Sequence, residues 1–238
     1  ELGVTGVRLA NGLEAWLKPT DFKNDQVLFT MYAPGGVAGA APDDYLQASF
    51  AAQYVDLSGI GGIKALDLDK MLAGKRASAA PFISATTQGI SGSSSPGELE
   101  TALQLLYLTF TAPGDDPDAF GVMRRQLDAA VANRGRSPGQ AFGEKLEDVN
   151  TSHHFTAAPL TPELLATLDR TRLRQEYAKR FANAADFTLF VVGAFKVDDV
   201  LPLFERWVGS LPSAGTRSAA FRDSGVRFPA GIERAQVV

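Results

Sequence analysis

The sequence predicts an α+β fold: a single antiparallel-rich sheet with helices packed on one of its faces. Three observations predict it. Period-two alternation of apolar and polar residues is confined to short runs near the start, the middle and the end of the chain, and 3.6-residue periodicity fills the stretches between them. The two kinds of run are segregated, not strictly alternating as in a parallel βαβ array. Hydrophobic residues make up 45% and charged residues 21% of 238 positions, enough apolar material for a core without covalent staples.

Taken in order, Val7 to Leu17 alternates around Asn11-Gly12, a pair that tolerates positive φ and so marks a hairpin. A second strand is expected at Gln26 to Tyr32, ended by Pro34-Gly35-Gly36. From Asp43 the residues Leu46, Phe50 and Tyr54 recur at helical spacing, giving a helix to Leu57 that stops at Ser58-Gly59. Leu68 to Gly74 reads as a short helix capped by Asp67. Ala77 to Ser84 and Thr86 to Ser93 read as two strands of a meander. Ser95-Pro96-Gly97-Glu98 opens a helix with Leu99, Leu103, Leu106 and Phe110 on one face. Helices follow at Asp118 to Ala132 and from Ser137-Pro138 to Val149, and one continuous helical run is expected from Thr161-Pro162-Glu163 to Phe181. A strand at Asp186 to Val192 and a helix at Val197 to Val208 complete the domain. This organisation predicts a domain over residues 1–212, with 213–238 as linker and the start of a following domain. Val226 to Pro229 and Ala235 to Val238 look like that beginning, so the sequence reads as an excised piece of a longer protein.

Several function classes are excluded or disfavoured by composition. There is no cysteine, which removes disulfides, thiolate metal sites and Cys nucleophiles. Net charge is −4 with Lys and Arg dispersed, unlike the concentrated positive face of a nucleic-acid binder. The densest basic stretch, Arg170, Arg172, Arg174, Lys179 and Arg180, is interrupted by Glu176 and reads as a solvated helix face. No apolar run approaches the ~20 residues that span a bilayer, and no basic segment followed by an apolar one reads as a signal peptide.

Five features in this order and spacing resemble the M16 metallopeptidases, the insulinase, pitrilysin and processing-peptidase family: Asn11-Gly12-Leu13 in the opening hairpin, the strand leaving through Pro34-Gly35-Gly36, two long helices separated by Ala112-Pro113-Gly114, the late strand Asp186 to Gly193, and the closing helix Leu201 to Gly209 before Leu211-Pro212. The stretches Leu17 to Phe22 and Leu72 to Lys75 are most similar to the bacterial PqqL-type branch. The resemblance covers nearly the whole chain. It implies the LuxS–MPP-like metallohydrolase architecture and, in an active half, an inverted zinc motif H-x-x-E-H on the first helix. Residues at i, i+3 and i+4 share one helical face, so two imidazoles can hold Zn²⁺ while the Glu takes a proton from the metal-bound water.

Laying Tyr45 to Gln53 on that helix puts Ala48 and Ala52 at the histidine positions and Ala51 at the base. Methyl groups neither ligate zinc nor move protons. The helix expected to give the last ligand, Phe120 to Ala132, has only Asp128 as an acid, and no histidine precedes His153. Accordingly no catalytic residue, no metal ligand and no cofactor is assigned to this chain. The resemblance then implies the first domain of an inactive half, which packs against a catalytic half in the same polypeptide or a partner subunit and helps position unfolded peptide. Zinc is expected in that catalytic half and the periplasm is the expected compartment; no nucleic acid and no membrane span are expected. The alternative readings are a structural module of the same fold with no proteolytic role, a separate-chain partner of a catalytic subunit, and an independent Ser or Asp hydrolase.

Other conspicuous residues read as structural. His153-His154 fall in a polar loop and are expected to bond locally, although Asp148 or Glu147 could join them on a metal. Ser91 to Gly97 lacks the Lys of a phosphate loop and the G-x-S-x-G of a nucleophile elbow, and reads as a strand-to-helix turn. Gly59 to Gly62 reads as a flexible helix exit. The pairs Asp43/Asp44 and Asp115/Asp116 sit at expected helix starts, as caps and dipole partners. Trp16, Phe29, Tyr32 and Phe82 are expected in the core or on a sheet face, with chamber lining as the functional alternative. Strand addition of a peptide to a sheet edge is implied by the family alone.

Overall fold

The structure, a computed structural model, describes residues 3–38 and 40–236. Its strands are β1 (Thr5–Arg8), β2 (Glu14–Pro19), β3 (Val27–Pro34), β4 (Ala77–Ile83), β5 (Thr87–Ser94) and β6 (Thr188–Gly193). Its helices are α1 (Pro42–Ser58), α2 (Ala65–Met71), α3 (Leu99–Thr111), α4 (Pro117–Asn133), α5 (Pro138–Asn150), α6 (Pro162–Ala166), α7 (Arg170–Arg180) and α8 (Val197–Trp207). The strands form one mixed sheet in the order β1-β2-β6-β3-β5-β4. Only the β2–β6 pairing is parallel; the others described are antiparallel.

The opening hairpin turns as its sequence requires. Gly12 adopts φ 87°, and the Leu9 and Gly12 N–H groups donate to Leu13 O and Leu9 O at 2.9 Å. Asn11 Nδ2 then donates to Val208 O at 2.8 Å, so the turn that starts the sheet also anchors the end of α8.

Alternation in β2, β3 and β6 sorts their side chains onto two unlike faces. Ala15, Leu17, Val27, Phe29, Met31, Ala33, Leu189 and Val191 are buried and belong to the main core, as do Leu99, Leu103, Leu106 and Phe110 of α3. Each such large side chain contributes about 1.5–3 kcal/mol relative to exposure. The opposite face stays open: Trp16, Leu28, Tyr32, Phe190 and Val192 are 38–48% exposed. Tyr32 stacks on Phe190 with ring centroids 5.8 Å apart.

Several expectations are corrected. The run from Thr161 to Phe181 is two helices. Thr161 caps α6 by accepting from Leu164 N at 3.2 Å, and Asp169 caps α7 by accepting from Arg172 N at 2.8 Å; a cap inside a periodic run restarts the helix. Asp67 is not the cap of α2, which begins two residues earlier after Lys64; its carboxylate instead pairs with Lys70 at 2.9 Å. The late strand begins at Thr188, because Ala184–Asp186 forms a 3-10 turn. Gly59 to Gly62 is not a loose exit: Ile60 is buried and bridges both Ile63 and Pro113.

Residues 213–236 carry no helix or strand, so Val226 to Pro229 is irregular there; of the stretch Ala235 to Val238, residues 237 and 238 lie outside those described. The start of this segment is stitched to the domain. Asn183 Oδ1 accepts from Ala214 N at 2.8 Å, Asp186 accepts from Ala219 N at 2.7 Å, and Arg217 donates to Thr188 Oγ1 at 2.8 Å.

Candidate functional site: the first helix and the free strand edge

Ala48 and Ala51 are fully buried and Ala52 is 7% exposed. The helix face that would hold a metal is packed interior. Next to it, Gln47 is also fully buried and reaches into the break between α6 and α7, donating to Thr167 O at 2.8 Å and accepting from Asp169 N at 3.1 Å. Its amide satisfies two backbone groups that the helix break leaves orphaned.

The residues present do not fit zinc. Asp128 is exposed and faces Arg124 at 3.9 Å, and among the described residues no group of three or more His, Asp or Glu comes together to hold a metal ion. His153 Nδ1 lies 2.9 Å from Asp148 Oδ1, and His154 Nδ1 lies 2.9 Å from Thr156 Oγ1, so each histidine has a local partner. Ser152 and His153 reach this arrangement through left-handed backbone, with φ 53° and 59°.

The basic run of α7 is a solvated face, as expected, that also carries ion pairs: the side chains of Arg170, Arg172, Arg174 and Lys179 are 39–63% exposed, and only that of Arg180 is largely covered. Arg170 and Arg174 meet Asp115 at 3.4 and 2.8 Å, and Arg172 meets Asp44 at 2.8 Å. Asp115 also accepts from Tyr54 Oη at 2.6 Å; burial and that bond push the Tyr54 hydroxyl up to about 12. Of the paired acids expected as caps and dipole partners, Asp116 caps α4, accepting from Asp118 N at 3.0 Å, and Asp43 and Asp44 stand in the first turn of α1. Glu176 is buried and pairs with Arg180 at 2.6 Å and with Lys179. Burial opposes its ionisation, but the hydrogen bonds from Lys179 and Arg180 win and hold the carboxyl below its ordinary value. Arg180 Nε donates to Gly36 O at 2.9 Å, which ties the glycine-rich strand exit to α7. Sequence reasoning missed this clamp; the i, i+4 spacing of Glu176 and Arg180 was its only signal.

At the other end of α1 the molecule is open. β4 is an edge strand. The bonds Ser84 N to Thr87 O, 2.8 Å, and Ser95 N to Arg76 O, 2.9 Å, fix the phase of its ladder with β5: even-numbered residues bond inward. The odd ones, Ala77, Ala79, Pro81 and Ile83, therefore turn their main-chain groups outward. Pro81 sits where a missing N–H costs the ladder nothing. Alongside runs a groove of ≈ 520 Å³ lined by Val55, Asp56, Ile60, Leu68, Asp69 and Ala79 among others.

No family model matches the chain. The fold is that of an M16 metallopeptidase domain. It superposes on the periplasmic protease PqqL from Escherichia coli with a TM-score of 0.81 and 16% identity, covering 96% of this chain and 25% of that one. It also superposes on a peptidase M16 inactive domain from Pseudomonas fluorescens with a TM-score of 0.74 and 18% identity, covering 93% and 53%. In sequence the chain is similar to two proteins named as PqqL-type zinc proteases. It is 28% identical over 213 residues to a zinc protease PQQL-like protein of Arabidopsis thaliana, 89% of this chain and 20% of that protein. It is 25% identical over 207 residues to a probable zinc protease PqqL of Haemophilus influenzae, covering 87% and 22%. The chain thus spans about a fifth of the length of these curated relatives.

Proposed function

We propose that this chain is a non-catalytic domain of a PqqL-like zinc protease. It comes from the half without the metal site, packs against the catalytic half and helps enclose and position an unfolded peptide. The observation that carries this reading is the burial of Ala48, Ala51 and Ala52 on the helix where M16 catalysis requires two imidazoles and a carboxylate. Residues 1–212 form the M16-like domain, and 213–238 lead into the next one. Zinc belongs to the catalytic half, in the same polypeptide or a partner subunit, and the parent works in the periplasm, as the E. coli relative does.

Two surfaces support the packing and positioning roles. The open sheet face groups Trp16, Leu28, Tyr32, Phe190 and Val192, a contiguous apolar patch of the kind that marks an interaction site. In register Trp16 faces Phe190 and Val192 faces Leu28, so the patch is continuous across three strands. Here the aromatics expected on a sheet face divide: Phe29 is core, whereas Trp16 and Tyr32 are open. The second surface is the free edge of β4, whose outward main-chain groups match an added strand without demanding a particular side chain.

The test is hydrolysis of an unfolded polypeptide by the purified chain with and without added zinc. No zinc-dependent cleavage is expected, whereas cleavage that appears on adding zinc overturns the reading. The parent reading frame should carry an H-x-x-E-H upstream. Its absence from the parent and from any co-purifying subunit would favour a structural module instead.

A further inference from the structure

The groove beside β4 has a charge character that the reading above does not use. Asp56 projects from the last turns of α1 and Asp69 from α2, and both line it. Neither carboxylate has a hydrogen bond or ion pair among the described residues. The nearby cations are spent elsewhere: Lys64 meets Asp116 and Asp118 at 3.1 and 3.0 Å, Lys70 meets Asp67 at 2.9 Å, Arg76 meets Asp25 at 2.8 Å, and Lys75 faces Glu98 at 3.9 Å. Most of the remaining lining is apolar, chiefly Leu57, Ile60, Leu68, Leu72 and Leu105, with Ser78 and Thr109 as its hydroxyls.

Two like charges left beside a low-dielectric wall repel each other and attract a cation. Although Asp56 is solvent-accessible, the atoms crowding it push its carboxyl up, and the charge of Asp69 adds to that. Beside them run the outward main-chain groups of Ala77, Ala79 and Ile83 and the carbonyl of Pro81, which carry no hydrogen bond among the described residues. An incoming strand that pairs with these groups projects alternate side chains toward the helical side of the sheet, where the groove lies.

We propose that the β4 edge selects extended peptides with a basic side chain, Lys or Arg, which lays its methylenes on Ile60, Leu68 and Leu72 and its charge against Asp56 and Asp69. A long basic side chain suits such a site because its stem is apolar and its head charged. This inference rests on the peptide-positioning role proposed above and names the class of segment that role takes.

The experiment is fluorescence polarisation on the 238-residue chain with four labelled heptapeptides: an alternating valine–arginine peptide, its valine–glutamate counterpart, and two forms of the valine–arginine peptide, each N-methylated on alternate amides in one of the two phases. The basic peptide should bind about 10-fold tighter than the acidic one, the size expected of one or two partly shielded ion pairs. That preference should shrink with added salt and vanish in the Asp56→Asn/Asp69→Asn variant. N-methylation in one phase should abolish binding. Equal binding of both charges, lost on N-methylation, overturns the basic preference and leaves edge addition standing. A basic preference that survives N-methylation in both phases overturns edge addition. Failure of every unmethylated peptide to bind at millimolar concentration overturns both.

Discussion

The two ends of α1 make opposite use of the same helix. Toward its N-terminus the face bearing Ala48, Ala51 and Ala52 is closed and methyl-lined, with Gln47 stitched to the α6–α7 break. Toward its C-terminus Asp56, with no hydrogen bond or ion pair to its carboxylate among the described residues, stands over an open groove beside an edge strand. One end has the packing of a core and the other the exposed polar and main-chain groups of a binding surface. Small apolar residues at Ala48, Ala51 and Ala52 allow neighbouring elements to close on the helix.

The largest effect that can break this comparison comes from restoring the motif. The triple change Ala48→His, Ala51→Glu and Ala52→His places three polar side chains in a closed interior. If the closed end is packed as described, each unsatisfied group costs about 1–3 kcal/mol, and an ionised one more. The variant should therefore be unfolded or lose most of its stability in urea titration. A stable variant that binds zinc with tetrahedral geometry would show that the face can open. Next in size is the clamp between α7 and the strand exit. Arg180→Met leaves the buried Glu176 with Lys179 as its remaining ion pair; removing one member of a buried pair costs about 3–5 kcal/mol, and because Lys179 still compensates the charge the loss should fall near the low end of that range. Because the Glu176 carboxyl is held below its ordinary value, its contribution is present at neutral pH and is lost as pH falls through that lowered value. The gap between wild type and Arg180→Met should therefore close in acid, below the ordinary carboxylate range. Gln47→Ala comes third. It leaves the Thr167 carbonyl and the Asp169 N–H without partners, at about 1–3 kcal/mol, and hydrogen exchange should quicken first at the α6–α7 break.

Much of the fold was legible in the sequence, and the reasons are local. Asn11-Gly12 specifies its hairpin, and Pro96, Pro117, Pro138 and Pro162 each stand in the first turn of a helix or 3-10 turn. That Ala48, Ala51 and Ala52 share a helical face was legible because an i, i+3, i+4 pattern fixes which residues lie together, and all three are buried. What sequence left hidden is set by tertiary contact. The stop after α6 depends on Gln47, 120 residues away in sequence from Thr167, so a periodic run looked continuous. The ion pairs of the α7 basic run were hidden because two of its acids, Asp44 and Asp115, lie on other segments. The free edge of β4 could not be read at all, since edge or centre is decided by the order β1-β2-β6-β3-β5-β4. Asp56 gave no signal beyond a charge near a helix end.

The smallest effect sharpens the open side of the comparison. Asp56 has a raised carboxyl value, pushed up by crowding and by the charge of Asp69, so the folded chain binds that proton more tightly than the unfolded chain does. The sign follows from linkage: the contribution favours the fold below the ordinary value of 3.8 and is lost as pH rises through the raised one. At neutral pH the ionised group therefore weakens the fold slightly, and solvent screening keeps the effect small. Asp56→Asn should raise the melting temperature at pH 7 by a degree or so, a few tenths of a kcal/mol in a domain of this size, and leave it unchanged at pH 3. The same substitution should weaken binding of the basic heptapeptide. Gaining stability while losing ligand is what separates a carboxylate kept for binding from one kept for folding. A variant that loses both, or neither, would place Asp56 among ordinary surface acids.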